Sequence, residues 1–122
     1  MIIESIELKN YRNYRELHME FDPGTNILYG NNAQGKTNIL EAVYVCCTTK
    51  SHRGSKDREL IHFHEDESHI KLNIRKNDVP YRIDMHLKKN KAKGIAINGV
   101  PIRKASALFG ICLLYTSDAA DD

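Results

Sequence analysis

The chain opens with an alternation of apolar and polar positions. Ile2, Ile6 and Leu8 fall on one side and Ser5, Glu7 and Lys9 on the other, the two-residue period of a half-buried strand. A short polar break, Arg12-Asn13-Tyr14-Arg15, carries an asparagine suited to a turn. The alternation then resumes, with Leu17, Met19 and Phe21 against Glu16, His18 and Glu20, so the first two elements form a hairpin. After the turn signal DPGTN, the run Ile27-Leu28-Tyr29 reads as a short buried strand. From Lys36 the period changes to that of a helix, with Ile39, Leu40, Val43 and Cys46 or Cys47 on its apolar face. It fades at TTKSHRGS, and KDRELIHF has room for one or two further helical turns.

Three more strand-like segments follow. Ile70, Leu72 and Ile74 alternate with Lys71, Asn73 and Arg75, and NDVP supplies a turn. Tyr81, Ile83, Met85 and Leu87 then alternate with Arg82, Asp84, His86 and Lys88. Beyond the basic connection KKNKAKG, the Asn98-Gly99 pair inside IAINGVPI signals a tight hairpin. RKASALFG begins another helix. The expectation is an α/β fold: a strand-rich lobe with one principal helix and an antiparallel meander.

Composition narrows the class. With 122 residues, 41% hydrophobic and 28% charged, the chain suits one modest globular domain. No apolar run reaches the roughly 18 to 20 residues of a membrane span. The N-terminus lacks the basic start, apolar block and small-residue cleavage site of a secretory signal, so a cytoplasmic location is expected. Cys46, Cys47 and Cys112 show no CxxC spacing and are expected to be buried, reduced thiols.

The candidate chemistry lies between the third strand and the helix. Gly30 to Thr37, GNNAQGKT, satisfies G-x-x-x-x-G-K-[ST] in the strand-before, helix-after context that a phosphate-binding loop requires. A triphosphate is a dense negative charge that must sit close to backbone. Gly30 and Gly35 permit that approach. Successive N–H groups of Asn31, Asn32, Ala33 and Gln34 can then point into one concavity, reinforced by the positive end of the helix dipole. Lys36 would reach the outer phosphates, and the Thr37 hydroxyl would serve Mg²⁺, which prefers oxygen ligands. Asn38, in the first helical turn, is either a helix-start residue or a ligand.

The extended string GNNAQGKTNILEAV resembles the nucleotide loop of the RecF family of bacterial DNA replication and repair ATPases, and Asn32, Ala33 and Gln34 are its specific part. IELKNYRNY resembles the family's opening strand. SHRGSKDRELI resembles its segment after the first helix, with Gly54 where members more often have threonine. The resemblance runs from Met1 to about Ile111, roughly the first third of a full-length member. It implies the N-terminal lobe of an ABC-type ATPase head similar to that of SMC proteins, with ATP and Mg²⁺ as cofactors. ATP would be sandwiched in a homodimer between one subunit's phosphate loop and the other's signature motif, closing the dimer on single-stranded or gapped DNA in recombinational repair and the SOS response. It further implies RecR as a partner. By family position, Arg12 would touch nucleotide phosphate and Arg53 the nucleotide's sugar or base. A small-molecule kinase and a structural SMC-type head are the alternatives.

Other residues attract blander readings. Tyr11 and Tyr14 are expected to pack. Glu41, five residues after Lys36, is not read as a catalytic base, since that base in ABC ATPases follows an aspartate at the end of a later strand. His62, His64 and His69, beside Glu65, Asp66 and Glu67, are assigned to a solvated surface loop without metal-ligand spacing. Lys88, Lys89, Lys91 and Lys93, with Arg103 and Lys104 beyond, are candidates for sequence-independent contacts to DNA phosphates.

The last eleven residues, CLLYTSDAADD, depart from the family pattern and resemble translated sequencing-adapter read-through. The expected division is therefore a head lobe, 1–111, and a foreign tail, 112–122; the alternative is a divergent C-terminal segment. The tail holds three acids (Asp118, Asp121, Asp122) and no bases, so without it the formal charge of +2 becomes +5. The 122 residues contain no second acidic strand-end motif, signature motif or switch histidine. Because phosphoryl transfer relies on all those parts together, the chain alone is expected to bind nucleotide phosphates without turning ATP over.

Overall fold

The computed structural model describes residues 2–21 and 33–112, with residues 33–36 described by their backbone only. The described elements are β1 (Ile2–Tyr11), β2 (Tyr14–Glu20), α1 (Ala33–Thr48), α2 (Asp57–Leu60), β3 (Glu67–Lys76), β4 (Val79–Lys88), β5 (Gly94–Ile97) and β6 (Val100–Pro101). Residues 106–112 are also helical. Among the described residues the strands form one sheet in the order β2-β1-β3-β4-β5-β6, every neighbouring pair antiparallel. The expected strand at Ile27–Tyr29 lies outside the described residues.

The alternating patterns define which face of the sheet is buried. Ile6, Leu8, Ile70, Leu72, Ile74, Ile83, Met85 and Leu87 are each at most 2% exposed, and they form one core with Ile39, Val43 and Cys46 of α1 and with Leu60 and Leu108. Helix α1 packs against β3 and β4. Two tight turns close the meander. Asn77 and Asp78 (φ 54° and 63°) join β3 to β4, and Asn98 and Gly99 (φ 52° and 81°) join β5 to β6. Positive φ at both central residues is what a two-residue loop needs to match the strand twist. The Asn98 side chain strengthens its turn, its Oδ1 accepting the Arg82 N–H at 2.8 Å.

Two expectations fail on packing. Ile2, assigned to the buried face of β1, is 39% exposed. The register against β3 shifts between Ile3 and Ser5, so the two-residue alternation is reset and Ile3, opposite the buried Ile74, packs against the core instead. Leu40, assigned to the apolar face of α1, is 47% exposed, as is Tyr44 at 45% one turn on, while Ala42 and Val45 are fully buried. All three cysteines are buried and free. Burial drives the Cys46 thiol pKa up. Cys112, placed at the head of the foreign tail, is the last described residue of the 106–112 helical stretch and is 3% exposed.

Candidate functional site

The arrangement that organises the described part of the site is centred on Glu41. Its position on α1 turns it inward, and its side chain is fully buried. Three donors converge on each carboxylate oxygen. Oε1 accepts from the Tyr11 hydroxyl at 2.8 Å, Arg12 Nε at 2.9 Å and Arg53 Nη2 at 2.8 Å. Oε2 accepts from Arg12 Nη2 at 2.8 Å, the Ser51 hydroxyl at 2.6 Å and Arg53 Nε at 3.1 Å. Both arginines thus present a fork to the same carboxylate, the geometry that makes guanidinium–carboxylate pairs strong. Burial alone would push the Glu41 pKa up, but the hydrogen bonds from Arg12, Arg53, Ser51 and Tyr11 outweigh it and hold the group well below the usual carboxylate range. The hydrogen bond to Glu41 raises the Arg12 pKa further, and burial followed by the Glu41 contact raises that of Tyr11.

Each donor comes from a different local structure. Tyr11 ends β1, with its ring in the core. Arg12 sits in the turn that follows at φ 53°, a left-handed conformation uncommon for a side chain of this size. Hydrogen bonds to its backbone fix that strained residue: its N–H donates to Leu60 O at 2.7 Å, and its carbonyl accepts from the His62 ring at Nδ1, 2.6 Å away. The turn after α1 supplies Ser51 and Arg53, the Ser51 hydroxyl also accepting the Arg53 N–H at 3.1 Å. Asn38 links the cluster to the opening of α1: its Oδ1 accepts from Arg53 Nη2 at 2.8 Å and its amide donates to Asn13 Oδ1 at 3.0 Å. Ser55 accepts a further bond from Arg12 Nη2 at 2.9 Å. One buried negative charge is therefore shared by two positive ones. Arg12 and Arg53 remain 24% and 34% exposed, so their net positive charge has an outward face.

Of the residues assigned to the phosphate loop, Gly30, Asn31 and Asn32 lie outside the described residues. The backbones of Ala33, Gln34, Gly35 and Lys36 form the opening turn of α1, followed by Thr37, which is half-buried. The motif thus runs into a sixteen-residue helix, which supplies the oriented N–H groups and dipole that an anion would need. Asn38 is 4% exposed and bridges Asn13 and Arg53 rather than serving as a simple helix-start residue. Sequence reasoning brought Arg12 and Arg53 to the site but missed the carboxylate that joins them. The available signal was the spacing of Asn38 and Glu41, two polar residues three apart among apolar ones, which share a helix face.

The basic stretch divides. Lys93 donates to the Thr49 carbonyl and, at 3.0 Å, to Asp57 Oδ1, so its ammonium is tied to the body of the molecule rather than offered to a nucleic acid. Lys88, Lys89 and Lys91 line a concavity together with Asp66, Glu67 and His86, a surface of mixed sign. His69 belongs to β3 rather than to a loop, and its ring stacks on His86 with centroids 4.1 Å apart. Burial and then the His86 charge lower the His69 pKa. No cluster of three metal-ligating side chains occurs among the described residues. A larger shallow concavity on the exposed sheet face is lined by Glu7, Lys9, Glu16, His18, Lys71 and Asp84. Its Glu7 is already paired, lying 3.1 Å from His18 and 3.5 Å from Lys71.

The chain and its fold are similar to known proteins. Residues 5–110 match the family model described as "AAA domain". The chain is 68% identical over 111 residues to the DNA replication and repair protein RecF of Lachnospira eligens, covering 91% of this chain and 31% of that protein. It therefore spans about a third of the length of such relatives. Among solved structures it is similar to the recombination mediator protein RecF bound to ATP in the RecFOR pathway, with a TM-score of 0.80 and 34% identity, over 88% of this chain and 29% of that one. An SMC ATPase from a study of ATP-driven dimerisation and DNA-stimulated activation shares the fold, with a TM-score of 0.78 at 20% identity over 93% of this chain and 78% of its own.

Proposed function

Since the chain belongs to the AAA domain family over residues 5–110, we propose that it is the nucleotide-binding part of a RecF-type DNA replication and repair protein and that it holds ATP through its phosphates at residues 30–38. The observation that carries this reading is the junction at the start of α1. There Gly35, Lys36 and Thr37 are the third to fifth residues of a long helix that goes on to carry Asn38 and Glu41, and Glu41 gathers two arginines beside them. The donor set fits a triphosphate. It combines helix N–H groups, one lysine, one hydroxyl suited to an oxygen-loving Mg²⁺, and guanidinium groups with charge to spare.

In this reading Lys36 neutralises the outer phosphates, Thr37 holds the metal's oxygen shell and Asn32 shapes the loop. Arg12 and Arg53 add positive potential beside α1's first turns, held there by Asn38 and Glu41. Bound Mg²⁺ would supply charge neutralisation between the outer phosphates. At the scale of the whole RecF-type protein, the reading extends to ATP-dependent homodimerisation, single-stranded or gapped DNA, a RecR partner and a cytoplasmic location. The likeness to RecF over 111 residues supports these extensions. No described helix is long and apolar enough to cross a membrane. Lys88, Lys89 and Lys91 are the DNA-facing candidates, with Lys93 set aside for its bond to Asp57.

Equilibrium binding of ATP to the 122-residue chain, with and without Mg²⁺, tests the reading. Saturable binding that weakens at least about tenfold in Lys36→Ala is the expected result, the loss of one charge-assisted contact. Equal affinity of the two proteins would remove its basis. The same 122 residues, lacking a second acidic motif, should show no ATP turnover above buffer. Mg²⁺-dependent hydrolysis abolished by Lys36→Ala would overturn that part.

A further inference from the structure

We propose that Glu41 is a positioning residue for the phosphate site: a buried carboxylate that fixes Arg12 and Arg53 at a set distance from Thr37, so that their shared positive charge faces the start of α1. The inference rests on the nucleotide reading above and adds to it the residue that sets the arginines' place.

Thr37 and Glu41 stand four residues apart in α1, and Asn38 and Glu41 three apart, so all three share one helix face. The helical rise places Thr37 and Glu41 about 6 Å apart along the axis. The guanidinium groups of Arg12 and Arg53 reach α1 on long side chains, from the turn after β1 and the turn that follows the helix. Left to themselves, two guanidinium groups would repel. Glu41 binds both by forks and joins them to the helix that carries Lys36 and Thr37. Asn38 seats the end of Arg53 one residue from Thr37. The Tyr11 and Ser51 hydroxyls leave the carboxylate a single orientation.

Two effects of Glu41 on an anion oppose each other, and their signs separate the proposal from its rival. As a bare negative charge near the site, Glu41 repels phosphate, so neutralising it should tighten binding. As the anchor of two arginines it favours phosphate, so neutralising it should weaken binding even though the site gains net positive charge. The probes are MgATP and inorganic tripolyphosphate, titrated into the 122-residue chain, Glu41→Gln, Glu41→Asp and Lys36→Ala, with folding of each followed by circular dichroism.

Glu41→Gln should weaken both probes about tenfold, the scale of a lost charge-assisted bidentate contact. Affinity equal to or tighter than the parent chain's overturns the proposal. If Glu41→Gln fails to fold, Glu41→Asp decides: it keeps the charge but shortens the reach by one methylene, so the two forks cannot both close. A several-fold weakening is expected, and unchanged affinity contradicts the role. A parent chain that binds neither probe in a Lys36-dependent way overturns the nucleotide reading and this inference with it. Binding that Lys36→Ala weakens and neither Glu41 variant does overturns this inference alone.

Discussion

Glu41 keeps a full negative charge with no exposure to solvent, and what makes that tolerable is three donors on each oxygen. Such a cluster is weak ground for claiming stability, because the desolvation of its members offsets much of their attraction. It is much stronger ground for expecting damage when one member is removed. It also makes a pH dependence. The Glu41 pKa in the folded state lies below its ordinary value of 4.5. A depressed carboxylate contributes stability that is complete above the unfolded pKa and is lost as pH falls towards the folded one. Urea midpoints should therefore stay level from pH 7 to about 5.5 as far as this group is concerned, then fall as the pH drops below about 4.5. Glu41→Gln, with nothing to protonate, should show a shallower fall. A parallel decline in both proteins would mean that Glu41 does not drive the acid limb.

At the scale of elements, burial rather than residue type decides what a substitution costs. Leu72 in β3 is fully buried, and Leu72→Ala should cost about 2–5 kcal/mol, a lost side chain plus the cavity it leaves. Leu40→Ala on α1, at a position 47% exposed, should change stability by no more than about 0.5 kcal/mol. Comparable losses from both in urea unfolding would contradict the packing described. The contrast also shows what the sequence could and could not reveal. β2, β3 and β4 were legible because one face meets the core and the other faces outward, so alternation maps directly onto burial. Asn98-Gly99 was legible because its turn needs positive φ twice, which those residues supply cheaply. Helix α1 was legible as a helix but not in its orientation. It is buried around most of its circumference, so hydrophobicity has little power to rank its faces. Leu40 was placed inward and turned out, and Glu41 was set aside and turned in, because the partners of Glu41 lie twenty-nine, thirty, ten and twelve residues away along the chain. The β1 irregularity was hidden for a related reason: an inserted residue resets the alternation without altering the composition that signals it.

At the scale of the whole molecule, a local motif in α1 depends on a long-range scaffold. The sheet and α1 bring the end of β1, the opening turns of α1 and the turn after α1 to one place, where Asn38 and Glu41 hold two arginines. The proposed function requires that the chain recognise nucleotide by its phosphates at the start of α1. The most direct test is competition against a fluorescent ATP analogue held on the 122-residue chain with Mg²⁺. Inorganic tripolyphosphate should displace the analogue nearly as well as ATP does, while adenosine at the same concentration should leave it bound. Displacement by adenosine with no effect of tripolyphosphate would contradict the account.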